Sequence, residues 1–186
     1  LGTAAFLMVY AHQIGLALGL QWSTATNGAL ILALNPLLSV GLAAIFLRER
    51  LTPFRMLGVL LGLIGVTIVV LGASGADLRL TGIGDLVLIG AMLCYVAAGV
   101  CIRKVAHVVH PLAIGWYMYL FGSVMLLVHA ALTPSFYDPD QWFQGFSAWG
   151  LVFFSGIFST ALGGVLWNYG IARVGLGRTT LFLNWL

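Results

Sequence analysis

The side chains best suited to orienting a solute or exchanging a proton lie inside apolar stretches of this sequence. His12 and Gln13 sit side by side within one such run, Asn35 and Ser39 flank Pro36, and Tyr95 falls in a third run. Trp167, Asn168 and Tyr169 are contiguous, and Asn184 follows them. Apart from one imidazole these are uncharged donors and acceptors, so their chemistry is hydrogen bonding to a bound molecule. His12 adds proton exchange, because an ionisable residue at membrane depth is a functional candidate by default. For each of them the competing reading is an interhelical hydrogen bond that holds the bundle together.

Other chemistries find no support. There is no HExxH helix, no GxSxG elbow, no phosphate-cradling P-loop and no GxGxxG fingerprint. Cys94 and Cys101 are seven apart on one helical face and read as small apolar packing residues. His107, His110 and His129 are too scattered for a metal site. The expectation is a protein that is not an enzyme, with no cofactor and no metal.

Composition sets the solvent in which these groups are held. Of 186 residues, 61% are hydrophobic and 7% charged, with a mean hydropathy of +1.07. Soluble domains carry roughly 25% charged residues, so this chain belongs in a lipid bilayer. A helix needs about 20 apolar residues to cross the hydrocarbon. The apolar runs predict spans at 2–20, 25–47, 53–72, 83–103, 111–132 and 148–170, with a seventh starting near 178. The expected fold is an all-α, polytopic transmembrane helix bundle. Leu1 opens directly into an apolar run and Leu186 halts the last span about half-way across, so a truncated chain is expected.

Charge placement agrees with this span count. Arg48, Arg50, Arg55, Arg103, Lys104, Arg173 and Arg178 fall on one side and Arg79 alone on the other. By the positive-inside rule the basic side is cytoplasmic, in the cell (inner or plasma) membrane. The net charge of +3 is therefore a topology signal and does not point to nucleic acid. The loop at about 133–147, with Asp138, Asp140 and Trp142, suits a short interfacial helix. Trp22, Trp116, Tyr117 and Tyr119 suit the aromatic belt.

Several residues have mainly mechanical roles. Pro36 lacks an amide hydrogen and crowds the carbonyl of Leu32, which predicts a helix kink. Gly58, Gly62 and Gly65 form a face for close helix packing, and Gly15 and Gly19 form a smaller one. Glu49, between Arg48 and Arg50, closes its span as a gate or pairing residue at the water boundary. Asp85 has the position of an N-cap. No acidic residue lies in the interior of a predicted span, since Glu49, Asp77, Asp85, Asp138 and Asp140 are all at ends or in loops, which disfavours a cation exporter built on a buried carboxylate.

Residues 15–34 and 166–185 match at a constant offset of 151, placing Gly19 on Gly170, Leu20 on Ile171 and Leu30 on Leu181. An odd number of crossings separates the copies, so the repeat is inverted, an arrangement common in secondary transporters. The stretch NPLLSVGLAAIFLRERLTPFRMLGVLLGLIGVTIVVLG, from Asn35 to Gly72, resembles the signature of EamA-type transporters in the drug/metabolite transporter superfamily. Gly84 and Asp85 start the fourth span as in that family, and Tyr95 stands where the family often has tryptophan. LWNYGIARVGLGRTT, from Leu166 to Thr180, resembles the corresponding motif of the other half.

The resemblance implies ten spans in two inverted halves. Residues 1–72 would then be the last three helices of the first repeat, 73–82 a linker and 83–186 the second repeat. It also implies a secondary transporter working by alternating access. The expected activity is export of small metabolites, amino acids or amphiphilic drug-like compounds, with proton coupling through His12. The alternative is a non-transporting scaffold or lipid-handling protein on the same fold. The cavity candidates are His12, Gln13, Asn35, Tyr95, Trp167, Asn168 and Asn184. By the offset, Pro36 corresponds to position 187, one beyond Leu186. The flanking sequence is expected to continue with proline there, and any other residue would break the correspondence.

Overall fold

The computed structural model describes residues 1–49, 52–72, 82–134 and 145–181. These residues fold as α-helices with no strand among them. In chain order the helices are α1 (Gly2–Trp22), α2 (Ala25–Leu47), α3 (Pro53–Gly72), α4 (Ile83–Val105), α5 (Pro111–Ala131), α6 (Phe146–Val174) and the single turn α7 (Leu176–Thr179). Helices α1, α2, α4, α5 and α6 are long and apolar enough to cross a bilayer, and α3 has 20 residues. The 29 residues of α6 exceed the expected 148–170 at both ends. At 1.5 Å per residue it reaches about 43 Å, more than the roughly 30 Å hydrocarbon layer. The expected linker at 73–82, apart from Gly82, lies outside the described residues, as do residues 135–144 of the 133–147 loop in which an interfacial helix was expected.

The most extensive helix contact is α1 on α4, and small residues make it possible. A β-carbon on Gly19 would sit 2.6 Å from Leu88 Cγ, and one on Gly15 would sit 2.9 Å from Ala91 Cβ. A β-carbon on Gly84 would strike the backbone carbonyl of Trp22. Where two backbones approach this closely a side chain has no room to turn away. The core continues through Ala4, Ala5 and Val9 of α1, Met92, Val96 and Ile102 of α4, Ile114 and Met118 of α5, and Ile171 of α6.

The same contacts fix the directions of the helices. Trp22 meets Gly84, Gly19 meets Leu88 and His12 meets Ala91, so α1 and α4 are antiparallel. Tyr95 meets Trp167 while Arg103 meets Ile171 and Ala172, so α4 and α6 are parallel. It follows that α1 and α6 cross in opposite directions.

Their backbones also share an irregularity. Phe6–Ala11 of α1 and Ser155–Leu162 of α6 are wound as wider π turns, and regular helix resumes at His12 and at Gly163. His12 and Gly163 are 151 apart, as are Ala25 and Leu176, where the next helices begin.

Neither Gly58 nor Gly65 has an atom of the described residues within 4 Å of where its β-carbon would stand. The tight packing that glycine permits is instead used by the smaller set on α1. Within α4, Gly84→Ala is expected to destabilise the protein by about 1–3 kcal/mol, because the obstacle is backbone. Gly90→Ala, with open space around it, is expected to be neutral. Thermal unfolding of the detergent-solubilised variants would check the difference.

Candidate functional site

Three helices bring one polar side chain each to mid-depth. His12, Asn35 and Tyr95 lie within about one residue of the midpoints of α1, α2 and α4. They line a common cavity of about 320 Å³, walled by Ala29, Leu32 and Ala33 of α2 and Met92 of α4.

His12 is buried, and its Nδ1 lies 2.9 Å from the carbonyl oxygen of Ala91. A carbonyl only accepts, so Nδ1 carries the hydrogen and donates it. In the neutral ring Nε2 is then left as an acceptor. The imidazole packs at 5.0 Å, centroid to centroid, on Tyr95, and Tyr95 packs at 5.7 Å on Trp167. A ladder of rings thus joins α1 to α6 through α4.

Asn35 owes its position to an interruption of α2. The regular helix stops at Ala33 and restarts at Asn35, and Leu34 between them donates back only three residues, to Ile31 at 3.1 Å. Pro36 then occupies the first turn of the second half, where its missing N–H costs nothing. The break falls two residues ahead of Pro36, and helical bonding resumes with the Leu38 amide on the Leu34 carbonyl. Asn35 faces inward, and its Oδ1 accepts from the fully buried Ser39 hydroxyl at 2.9 Å.

The remaining sequence candidates are dispersed. Gln13 is exposed and does not line the cavity, contrary to expectation. One helical step of about 100° turns it away from the face that His12 shares with Gly15 and Gly19. Trp167 is half-buried against Tyr95, and its buried Nε1–H has no acceptor among the described residues. Asn168 is buried against Gly115 of α5, outside the cavity. Glu49 sits at the joint between α6 and α7, where a β-carbon on Gly175 would come 2.9 Å from its Oε1. Gly175 has φ +90°, which only glycine adopts easily. Asn184 lies outside the described residues.

Asp85 plays a different part from the N-cap expected of it. Helix α4 starts at Ile83, which puts Asp85 in the first turn, and its carboxylate reaches across to the α1–α2 junction. It accepts from Ser23 Oγ at 2.5 Å and from Asn27 Nδ2 at 3.0 and 3.1 Å. Thr24 caps α2, accepting the Asn27 amide at 3.0 Å. At the opposite end of α4, Arg103 donates to the Ile171 and Ala172 carbonyls of α6 at 2.9 and 2.7 Å. Neither tie was expected from the sequence. Ser23, Asn27 and Arg103 are visible there, but their partners are distant in sequence.

A wider groove of about 810 Å³ runs between α5 and α6, lined by residues such as Trp116, Tyr119 and Thr160. It is the larger space, but none of the three midpoint residues reaches it, and the Tyr119 hydroxyl is already spent on the Thr160 carbonyl at 2.9 Å.

The profile of the EamA-like transporter family matches residues 1–71 and 82–185. The chain belongs to that family. This EamA protein is 33% identical over 168 residues to the uncharacterized transporter YyaM of Bacillus subtilis, covering 89% of the chain and 54% of that relative. It is 26% identical over 182 residues to the uncharacterized transporter YetK of the same organism, covering 97% and 54%. It is also 26% identical over 178 residues to an uncharacterized transporter of Archaeoglobus fulgidus, covering 94% and 60%. The EamA chain thus spans about half the length of the curated relatives it matches. No solved structure matches it significantly. Family and helices together make it a multi-pass membrane protein of a transporter family.

The Asp85 tie predicts a measurable loss. Asp85→Ala is expected to cost about 1.5–3 kcal/mol, the range for hydrogen bonds to a charged group, with Asp85→Asn intermediate. The midpoint of thermal unfolding would show both.

Proposed function

We propose that the complete protein is a secondary transporter that exports small metabolites, amino acids or amphiphilic drug-like compounds, by alternating access. The observation that carries this reading is the cavity in which His12, Asn35 and Tyr95 meet at mid-depth, beside the interruption of α2. Polar groups and broken helices are expensive in hydrocarbon and are tolerated where they line a cavity. Transporters place such sites between inverted repeats near the midplane.

The opposite directions of α1 and α6, and the π turns that end 151 residues apart, support assigning residues 1–72 and 83–186 to two inverted halves. In this arrangement the exposed outer half of α6 and the glycine face of α3 are where the rest of a ten-span protein packs. The basic ends, with Arg48, Arg103, Lys104, Arg173 and Arg178, lie in the cytoplasm, and the membrane is that of the cell. Glu49, at the α6–α7 joint, is a cytoplasmic gate residue. His12 couples flux to protons by exchanging one at Nε2. The wide apolar groove between α5 and α6 is the observation favouring the alternative, a lipid-handling protein or scaffold.

The test is efflux of a panel of labelled neutral and amphiphilic solutes from vesicles containing the complete protein. At least one solute should leave faster than from empty vesicles, and Asn35→Ala should slow it by about tenfold, the equivalent of one lost buried hydrogen bond. His12→Gln should abolish stimulation by a pH gradient. Unchanged pH-driven flux in that variant would remove proton coupling, and no flux of any solute would favour the alternative.

A further inference from the structure

The mid-depth cavity presents a defined hydrogen-bonding pattern, because its polar groups are each held by a second bond. The Ala91 carbonyl takes the Nδ1 hydrogen of His12 and leaves Nε2 as an acceptor. The Ser39 hydroxyl takes up Oδ1 of Asn35 and leaves its amide nitrogen, a donor with no hydrogen bond among the described residues. A solute that displaces water from these two groups without pairing them loses their hydrogen bonds, so the cavity favours a solute acceptor next to a donor. No carboxylate, ammonium or guanidinium lines the cavity among the described residues. A charged solute, a zwitterionic amino acid included, would give up its hydration there with nothing to balance it, which narrows the range of solutes proposed above to uncharged ones. At about 320 Å³ the space is at the small end for ligand cavities.

We propose that this cavity takes a small uncharged solute carrying a carbonyl acceptor beside an N–H donor, of the carboxamide type, and that Ser39 is the positioning residue that sets this choice. The solute carbonyl accepts from Asn35 Nδ2, and its N–H donates to His12 Nε2. The Met92 and α2 aliphatic wall takes the apolar body, with Tyr95 lining the cavity beside it. Ser39 does not line the cavity, yet without its hydroxyl on Asn35 the amide is free to turn over and offer oxygen instead of nitrogen. The inference rests on reading the cavity as the solute site of a transporter.

Benzamide, benzoate and benzylammonium share shape and ring, and differ in charge and in this donor–acceptor pair. Binding of each to the complete purified protein at pH 8 is measured by calorimetry. Benzamide is expected to bind at least about tenfold more tightly than either ion, the discrimination typical of a site that must pair its buried polar groups. Asn35→Asp should remove most of the benzamide affinity. Ser39→Ala should lower the ratio of benzamide to benzoate binding, and Ser39→Thr, which keeps the hydroxyl, should restore it. Wild-type selectivity needs no variant to fold.

Benzoate or benzylammonium binding as tightly as benzamide would overturn the carboxamide class, as would failure of all three to bind. A selectivity unchanged in Ser39→Ala would overturn the role of Ser39. None of these results touches the efflux experiment, so a transporter that moves other solutes remains distinguishable from a protein that moves none.

Discussion

The polar interior of this bundle depends on α1 lying close enough to α4 for His12 to reach the carbonyl of Ala91. On the side of the ring turned away from the cavity no water is at hand, so the Nδ1 hydrogen must find its partner within the protein. The partner is a backbone carbonyl on the next helix, and only small residues at the crossing let the helices approach that far. Gly15, Gly19 and Gly84 supply that space. Once His12 is held, Tyr95 packs on its ring, Trp167 packs on Tyr95, and the cavity opens between them and the break in α2.

The ends of the bundle reinforce this arrangement with charge. Asp85 ties the α1–α2 junction to the start of α4, and Arg103 ties the end of α4 to the last carbonyls of α6. Both ties use charged groups near the ends of the spans, where water reaches them and the cost of charge is lower. Helix α4 is common to the cavity, the ring ladder and both ties, and its buried face includes Leu88, Met92, Val96 and Ile102. Much of α6 has no buried residue at all.

Much of the architecture was legible in the sequence because lipid imposes a simple rule on length and hydropathy. The span at 25–47 matches α2 at both ends, and the start expected at 83 matches α4. Pro36 falls in the first turn of the second half of α2, two residues after the interruption, where its missing amide hydrogen is no loss. Side-chain facing was less legible. His12 and Gln13 are adjacent, yet one lines the cavity and the other is exposed, and only the position of α4 decides between them. The glycines of α3 and those of α1 look equally suited to close packing, but sequence spacing does not say which face has a neighbour. Asp85 was read as a cap from its own helix, because its actual partners, Ser23 and Asn27, are about sixty residues away. The π turns in α1 and α6 leave no recognisable mark on composition.

The central claim is that the middle of this bundle is a polar, water-reachable space and not a sealed helix contact. Accessibility of a single thiol at Asn35 tests it most directly, in complete protein whose native Cys94 and Cys101 have been replaced by alanine. With Asn35→Cys in membranes, a charged methanethiosulfonate reagent should modify the thiol, while Leu61→Cys on the exposed face of α3 should stay inert. An unreactive thiol at position 35, with the protein folded and inserted, would contradict the account.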